Sequence, residues 1–314
     1  MSTSAPLPYL ATPIFLVGPG GASAIKVPRL IYGTAWKKDR TEDLVYTAIK
    51  NGFRGVDTAA QPRHYNEKLV GNGIRRAIEE GLVKRQDLLI QTKFTTIDGQ
   101  DWNNMPYKLS DPLETQIDDS IASSLANLTF SGSGAPYIDV FLLHSPLATP
   151  AATLQAWKHL ETYVPHKIRT LGISNVTLSE LTALYSSPDV KIKPQIVQNR
   201  LYEDHYTPDL YEFCHREGLL IEPFWTLTAN PGLLHSQGVQ RVAQETGVSL
   251  HVALYSLLIG LRNFCPLDGT TSEAHMTEDL ERISTVGRWA QGVGVQTWKA
   301  CVRSLEERLG IEEW

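Results

Sequence analysis

From residue 30 to residue 267 the chain alternates between short, β-rich apolar runs and stretches whose apolar residues recur at helical spacing. The apolar runs are Leu30–Thr34, Gly55–Thr58, Leu88–Phe94, Ile138–His144, Thr170–Ser174, Gln195–Asn199, Leu219–Phe224 and Asn263–Leu267. Helical spacing fills Thr41–Lys50, Asn66–Glu80, Leu113–Ala126, Ala151–Thr162, Leu178–Tyr185 and Pro208–Glu217 between them. Two more such stretches, Val239–Thr246 and Leu250–Leu261, precede the last run. A helix-length crossover between strands demands a parallel sheet. Eight units of this kind predict an α/β fold, a (β/α)8 barrel of the TIM type. A doubly wound sheet is the alternative, but no glycine-rich first turn supports it.

Around this repeat the sequence predicts a polar, proline-marked arm (Met1–Pro13) and an N-terminal hairpin within Tyr9–Val27, turning at Gly18-Pro19-Gly20-Gly21. Arg288–Leu309 is predicted as a C-terminal amphipathic helical extension. No linker or shift of composition divides residues 1–314, so a single domain is expected.

In a parallel barrel the loops after strands share the functional face. Three of them are long here: Thr95–Ser110, Trp225–Ser236 and the region after Asp268. The glycine- and serine-rich stretch Gly132–Pro136 precedes a strand and belongs to the opposite face. Asp57, Lys93 and His144 fall at the ends of the second, third and fourth runs, and Tyr65 follows the second on the same face. A carboxylate, an ammonium, an imidazole and a phenol converging there suit proton transfer.

The stretch from Gly52 to Gly71 carries more than a strand and its loop. Gly52-Phe53-Arg54-Gly55-Val56-Asp57-Thr58-Ala59, then Tyr65-Asn66-Glu67 and Leu69-Val70-Gly71, resembles the aldo-keto reductases. Ile90-Gln91-Thr92-Lys93 resembles that family's strand-three lysine, and Phe141-Leu142-Leu143-His144 its strand-four histidine. The resemblance implies an NAD(P)H-dependent reductase of aldehydes or ketones, acting on CH-OH donors in reverse, with Asp57, Tyr65, Lys93 and His144 as its catalytic tetrad. Tyr65 would donate the proton that the nascent alkoxide needs, from a phenol whose ordinary pKa is about 10. A buried Lys93 ammonium is expected to lower that value, Asp57 to keep the ammonium charged, and His144 to polarise the carbonyl. One departure stands out. Gln61-Pro62-Arg63 places three residues more than the family spacing between Asp57 and Tyr65, which makes the neighbouring His64 a rival for the acid.

The cofactor residues also follow from the resemblance. Ser174 and Asn175 look like the strand-five pair that holds the nicotinamide carboxamide, and Gln198 like its strand-six partner. Phe224, beside Trp225, Thr226 and Leu227, stands where the family stacks a tyrosine on the ring; a π face suffices for that. After strand eight, Thr270, Thr271, Ser272, His275 and Asp279 align with the segment that clamps the 2'-phosphate in NADPH-preferring relatives. That pattern, Lys-Ser-x-Asn-x-x-Arg-x-x-x-Asn, is poorly kept: Gly269 replaces the lysine, His275 the arginine and Asp279 the asparagine, among Asp268, Glu273 and Glu278. NADP(H) or NAD(H) is expected, with weak discrimination. Trp36, Trp102, Trp225 and Tyr107 are expected to face an apolar or aromatic carbonyl substrate.

A net charge of -5 and a pI near 6.0 give no reason to expect nucleic acid. Cys214, Cys265 and Cys301 are too few for a disulfide framework and suit a cytoplasmic protein. No run of apolar residues reaches the length of a membrane span, and no Lys or Arg precedes Ile14–Val17 as in a signal peptide. No metal-ligand spacing occurs. A monomer or weak homodimer is expected. Two rival functions are a non-catalytic cofactor-binding barrel subunit and a reductase of imines or conjugated alkenes. Loss of a tetrad residue would point to the first and replacement of His144 to the second; neither occurs.

Overall fold

The computed structural model describes residues 9–18, 24–132 and 134–312. A two-stranded antiparallel hairpin, β1 (Ile14–Leu16) and β2 (Ile25–Val27), leads into β3 (Ile31–Gly33), β4 (Gly55–Asp57), β5 (Leu89–Phe94) and β6 (Ile138–Leu143). The sheet continues with β7 (Ile168–Ser174), β8 (Ile196–Gln198), β9 (Leu220–Ile221) and β10 (Leu267–Asp268). Strands β3 to β9 pair in parallel in sequence order, and β10 pairs with β3. The seam between β9 and the approach to β10 is closed by Ile221 N–H to Asn263 O (2.8 Å), Cys265 N–H to Ile221 O (2.8 Å) and Leu267 N–H to Pro223 O (2.9 Å). Full closure removes the exposed edges that an open sheet would present.

Helices α1 (Thr41–Lys50), α2 (Glu67–Glu79), α3 (Leu113–Asn127), α4 (Pro150–Glu161), α5 (Leu178–Ser186) and α6 (Pro208–Arg216) follow β3 to β8 in turn. Between β9 and β10 lie α7 (Pro231–Leu234), α8 (Gln237–Thr246) and α9 (Leu250–Gly260). After β10 come α10 (Glu273–Gln291) and α11 (Val295–Leu309).

Strand periodicity sends alternate side chains inward and outward. Ile90, Phe94, Phe141, Leu143, Leu171, Ile173 and Val197 join the large cluster beneath the helices. Their neighbours Leu89, Val140, Leu142, Ile196, Leu220, Cys265 and Leu267 form a second, interior cluster. Leu16, Ile25 and Val27 of the hairpin belong to that interior cluster, so the hairpin caps the barrel at the end where its strands begin. Inside the barrel Gly172 leaves room that a side chain would need: an added Cβ would lie 2.5 Å from Leu142 Cδ2 and 2.6 Å from Ile196 O.

One expectation about the termini changes. The tail is not one helix from Arg288, because α10 runs through that residue and ends at Gln291, and α11 begins at Val295. At the break, a Cβ on Gly294 would sit 2.0 Å from the Trp289 ring, so the chain turns where indole packs against bare backbone. At the other end, the hairpin turn at Pro19, Gly20 and Gly21 and the first eight residues of the arm lie outside the described residues. Among those described, no single helix is long and apolar enough to cross a membrane, and no group of three His, Cys, Asp or Glu side chains could hold a metal ion. All three cysteines are buried and unpaired by disulfides.

Candidate active site

Asp57 ends β4, Lys93 is the penultimate residue of β5, and His144 follows β6. Parallel pairing brings these strand ends together at one mouth of the barrel. Lys93 is fully buried, and its Nζ donates to both Asp57 carboxylate oxygens (2.7 Å each) and to Thr58 O (2.8 Å). Each ammonium proton therefore has an acceptor. The Lys93 charge lies 4.9 Å from the centroid of the Tyr65 ring, which meets the His144 ring edge-on at 6.1 Å.

The longer loop does not carry Tyr65 away. His64 and Tyr65 both donate their N–H groups to Gln61 O (3.1 and 3.0 Å), closing a turn that pushes Pro62 and Arg63 into solvent. Gln61 is itself anchored, its amide donating to Gly99 O at 2.6 Å. Immediately after the phenol, Asn66 caps α2 by accepting from Leu69 N–H (3.1 Å). Glu67 turns inward, and its carboxylate takes the hydroxyls of Thr92 (2.5 Å) and Ser124 (2.9 Å) and the amide of Asn127 (3.1 Å). The acid of this helix's first turn thus ties α2 to β5 and α3.

Burial governs the protonation states. It pushes the Tyr65 phenol above its ordinary value, against the nearby Lys93 charge. The net shift is opposite to the lowering expected from the ammonium alone. Burial pulls on Lys93 in the other direction, but Asp57, Tyr65 and Glu222 together leave its pKa raised. His144 is held well below the usual histidine range by burial, then by Lys93 and His64, so its imidazole is neutral. Its Nδ1 is 2.6 Å from the Thr95 hydroxyl. With that hydroxyl donating, the ring proton sits on Nε2, the tautomer that can donate to a carbonyl oxygen.

Tyr65 lines a cleft of about 630 Å³ that extends from Gly33 and Gln198 to Thr270, Thr271, His275 and Asp279 beside the start of α10. Phe224, Trp225, Thr226 and Leu227 form another wall. Asn230 holds that loop by donating to Leu201 O (2.7 Å) and Thr226 O (3.0 Å). Trp36 and Trp225 flank the cleft with left-handed backbones (φ 63° and 62°), a conformation that side chains of this size rarely adopt. Trp36 packs on His64 with ring centroids 4.0 Å apart, and Arg200 lies over the Trp225 ring at 4.9 Å.

Other residues singled out from the sequence fall elsewhere. Ser174 and Asn175 stand at the end of β7 and do not line the cleft; the Ser174 hydroxyl donates to Gln198 O (2.6 Å) and the Asn175 amide to His144 O (2.9 Å). Ser272 spends its hydroxyl capping α10, accepting from His275 N–H at 3.4 Å. Tyr107 leaves the substrate wall altogether: it is buried on Phe94, and its phenol donates to Thr95 O (2.7 Å), bracing the loop that carries it. Trp102 is 67% exposed and outside the cleft.

Several cleft residues had no signal in the local sequence. Lys37 comes from the far side of the chain, its Nζ donating to the carbonyls of Gly269 and Thr270, with burial lowering its pKa to about 8. It is the cation that the segment after strand eight itself lacks. Asp279, which stands in the asparagine position of that segment, is pushed up to about 9 by burial and by the carboxyl of Asp268, and is therefore neutral near pH 7. His251 Nε2 lies 3.3 Å from Asp279 Oδ1 and 3.5 Å from Glu278 Oε2. The elongated cleft, the aromatic wall, the Gln198 amide and this mixed charged end fit a nicotinamide dinucleotide.

The sequence profile of the aldo/keto reductase family matches residues 29–291. An NAD(P)H-dependent D-xylose reductase of Scheffersomyces stipitis is 30% identical over 229 residues, 64% of this chain and 65% of that protein. An uncharacterized oxidoreductase of Schizosaccharomyces pombe is 29% identical over 259 residues, 81% of this chain and 82% of that one. Among solved structures, an aldo-keto reductase from a Medee basin deep-sea metagenome library superposes with a TM-score of 0.70 at 20% identity, covering 95% and 97% of the two chains. A Bombyx mori aldo-keto reductase in complex with NADP gives 0.67 at 22% identity, covering 88% and 93%. These structural likenesses establish the fold.

Proposed function

The chain belongs to the aldo/keto reductase family, and on that premise we propose that it reduces an aldehyde or ketone to the alcohol at the expense of NADPH or NADH. The observation that carries this reading is the convergence of Lys93, Asp57 and His144 around Tyr65, which lines a cleft shared with Gln198 and Phe224. A bound reduced nicotinamide would supply the hydride to the carbonyl carbon. The neutral His144 orients the carbonyl by donating to its oxygen, and Tyr65 delivers the proton as negative charge develops there. A phenol raised by burial stays protonated in the resting site, which favours reduction over alcohol oxidation near neutral pH. The fixed Lys93 charge stabilises the phenolate that remains after transfer. Asp57 holds that charge in place through two hydrogen bonds.

Phe224, Trp225 and Trp36 make the wall around Tyr65 apolar, and we assign the substrate to apolar or aromatic carbonyl compounds. Several relatives are named as xylose or pentose reductases, so xylose is the informative competitor. Consumption of NADPH, followed by its absorbance, should show a higher kcat/KM for an aromatic aldehyde than for xylose. The reverse order would assign a sugar, and no turnover with any member of a broad carbonyl panel would remove the reductase reading. The three buried thiols suit a reducing cytosol, which is the location we propose.

Cofactor discrimination should be weak and dependent on pH. Lys37 supplies a cation below about 8, and Asp279 stays neutral below about 9. A 2'-phosphate is thus tolerated near pH 7 and opposed as alkali removes the lysine charge and creates the carboxylate. We expect dissociation constants to favour NADPH over NADH by less than about a thousandfold at pH 8, and the preference to fall further by about pH 9.5. A preference that grew with pH would place the 2'-phosphate away from Asp279.

A further inference from the structure

Among the buried acids that the tetrad does not use, one lies against it. Glu222 directly follows β9, points into the barrel and has no exposed surface. Its Oε2 accepts from the Nε2 groups of Gln91 (2.6 Å) and Gln198 (3.0 Å). The same two Nε2 groups also donate to Asp57 Oδ1, at 2.8 and 3.0 Å. Asp57, Gln91, Glu222 and Gln198 therefore close a ring beneath the cleft, while Glu222 Oε1 has no hydrogen-bond partner.

This ring decides which end of Gln198 meets a ligand. Two carboxylates below the amide require both of its N–H protons, so only Oε1 remains to accept a hydrogen bond from the cleft. A carboxamide NH2 is the complementary donor. The ring also concentrates charge. Its two carboxylates are faced by a single ammonium, Lys93 on Asp57, and an oxidised nicotinamide brings the positive charge that its reduced form lacks.

Resting on the dinucleotide-dependent reading above, we propose that Glu222 is a positioning residue beneath the nicotinamide: it orients the Gln198 amide and, when ionised, favours binding of the oxidised over the reduced cofactor. Burial pushes its carboxyl up to about 7, with Gln91 and Gln198 opposing that rise and Asp57 adding to it. The charged or titratable groups that face it are Asp57 from β4, Lys93 from β5 and Cys265 from the last strand's approach. The Cys265 thiol is pushed up to about 12 by burial and stays neutral. Lys93 stays charged and His144 neutral through the range in which Glu222 titrates. Groups at the other end of the cleft, Lys37, His251, His275, Asp268 and Asp279, act alike on both redox forms and cancel from their ratio.

The test is equilibrium binding of NADP+ and NADPH to the whole chain, read from quenching of its tryptophan fluorescence. In the wild type, affinity for NADP+ relative to NADPH should rise about tenfold from about pH 6 to about pH 8. Glu222→Gln keeps an oxygen that can accept from Gln91 and Gln198 but removes the charge; its ratio should stay flat within about twofold. Glu222→Leu removes the anchor as well and should weaken both forms by about tenfold. A flat ratio in the wild type overturns the proposal while leaving the reductase reading intact, as does a Glu222→Gln ratio that still follows pH. Failure of the wild type to bind either nucleotide would overturn the reductase reading itself, and the proposal with it.

Discussion

Tyr65→Phe is expected to lower kcat/KM for carbonyl reduction by about 10²–10⁴-fold, the usual cost of removing a positioned proton donor. The substitution deletes one oxygen and keeps the ring that packs over Lys93 and against His144. Cofactor dissociation constants should therefore change by no more than about threefold. Steady-state kinetics paired with fluorescence titration of NADPH checks both numbers on one preparation. Turnover above about a tenth of wild type would show that another group supplies the proton. His64, against Trp36 at the cleft mouth, would be the group to mutate next.

Lys93→Met should abolish most turnover and also destabilise the fold. Its ammonium is fully buried, and removing it strands the Asp57 carboxylate in the barrel interior with only the Gln91 and Gln198 amides as partners. Breaking such a pair from one side costs about 3–5 kcal/mol, visible as a lower Tm. The pH profile separates the catalytic loss from the structural one. Alcohol oxidation needs the Tyr65 phenolate, so its rate should rise in alkali with an apparent pKa that belongs to the Tyr65–Lys93 pair. With the ammonium gone, burial acts on the phenol unopposed, its pKa climbs further, and the alkaline rise should move out of the accessible range. Asp57→Asn combined with Lys93→Met removes both charges and should recover much of the stability. Activity should not return with it. An unchanged alkaline limb in Lys93→Met would take the lysine out of the mechanism.

The chain's architecture was legible because it depends on local pattern. Each β-rich run and each helix announces itself within about ten residues, and parallel connection then forces every strand end onto one face. Asp57, Lys93 and His144 could be placed together on that ground, without knowledge of any contact among them. The helix that opens after Tyr65 was equally readable, since helical spacing begins at Asn66, the residue that caps α2. Where local pattern was ambiguous the reading slipped, as in the tail, where apolar spacing continues across a break set by Trp289 against Gly294.

The electrostatics of the site were decided only by tertiary structure. Lys37 meets Gly269 across 232 positions of sequence, and Glu222 meets Gln91 across 131. No periodicity records such pairings, because they follow from which parity of each strand faces inward when the barrel closes. Closure also sets the depth of burial, and depth reversed the direction expected for Tyr65, neutralised Asp279 and turned Tyr107 from a pocket wall into a brace. The sequence by itself determined which groups stand at the mouth of the barrel. Their charges, and which atom of each faces a ligand, depend on desolvation and on partners supplied by strands remote in the chain, and so belong to the folded molecule alone.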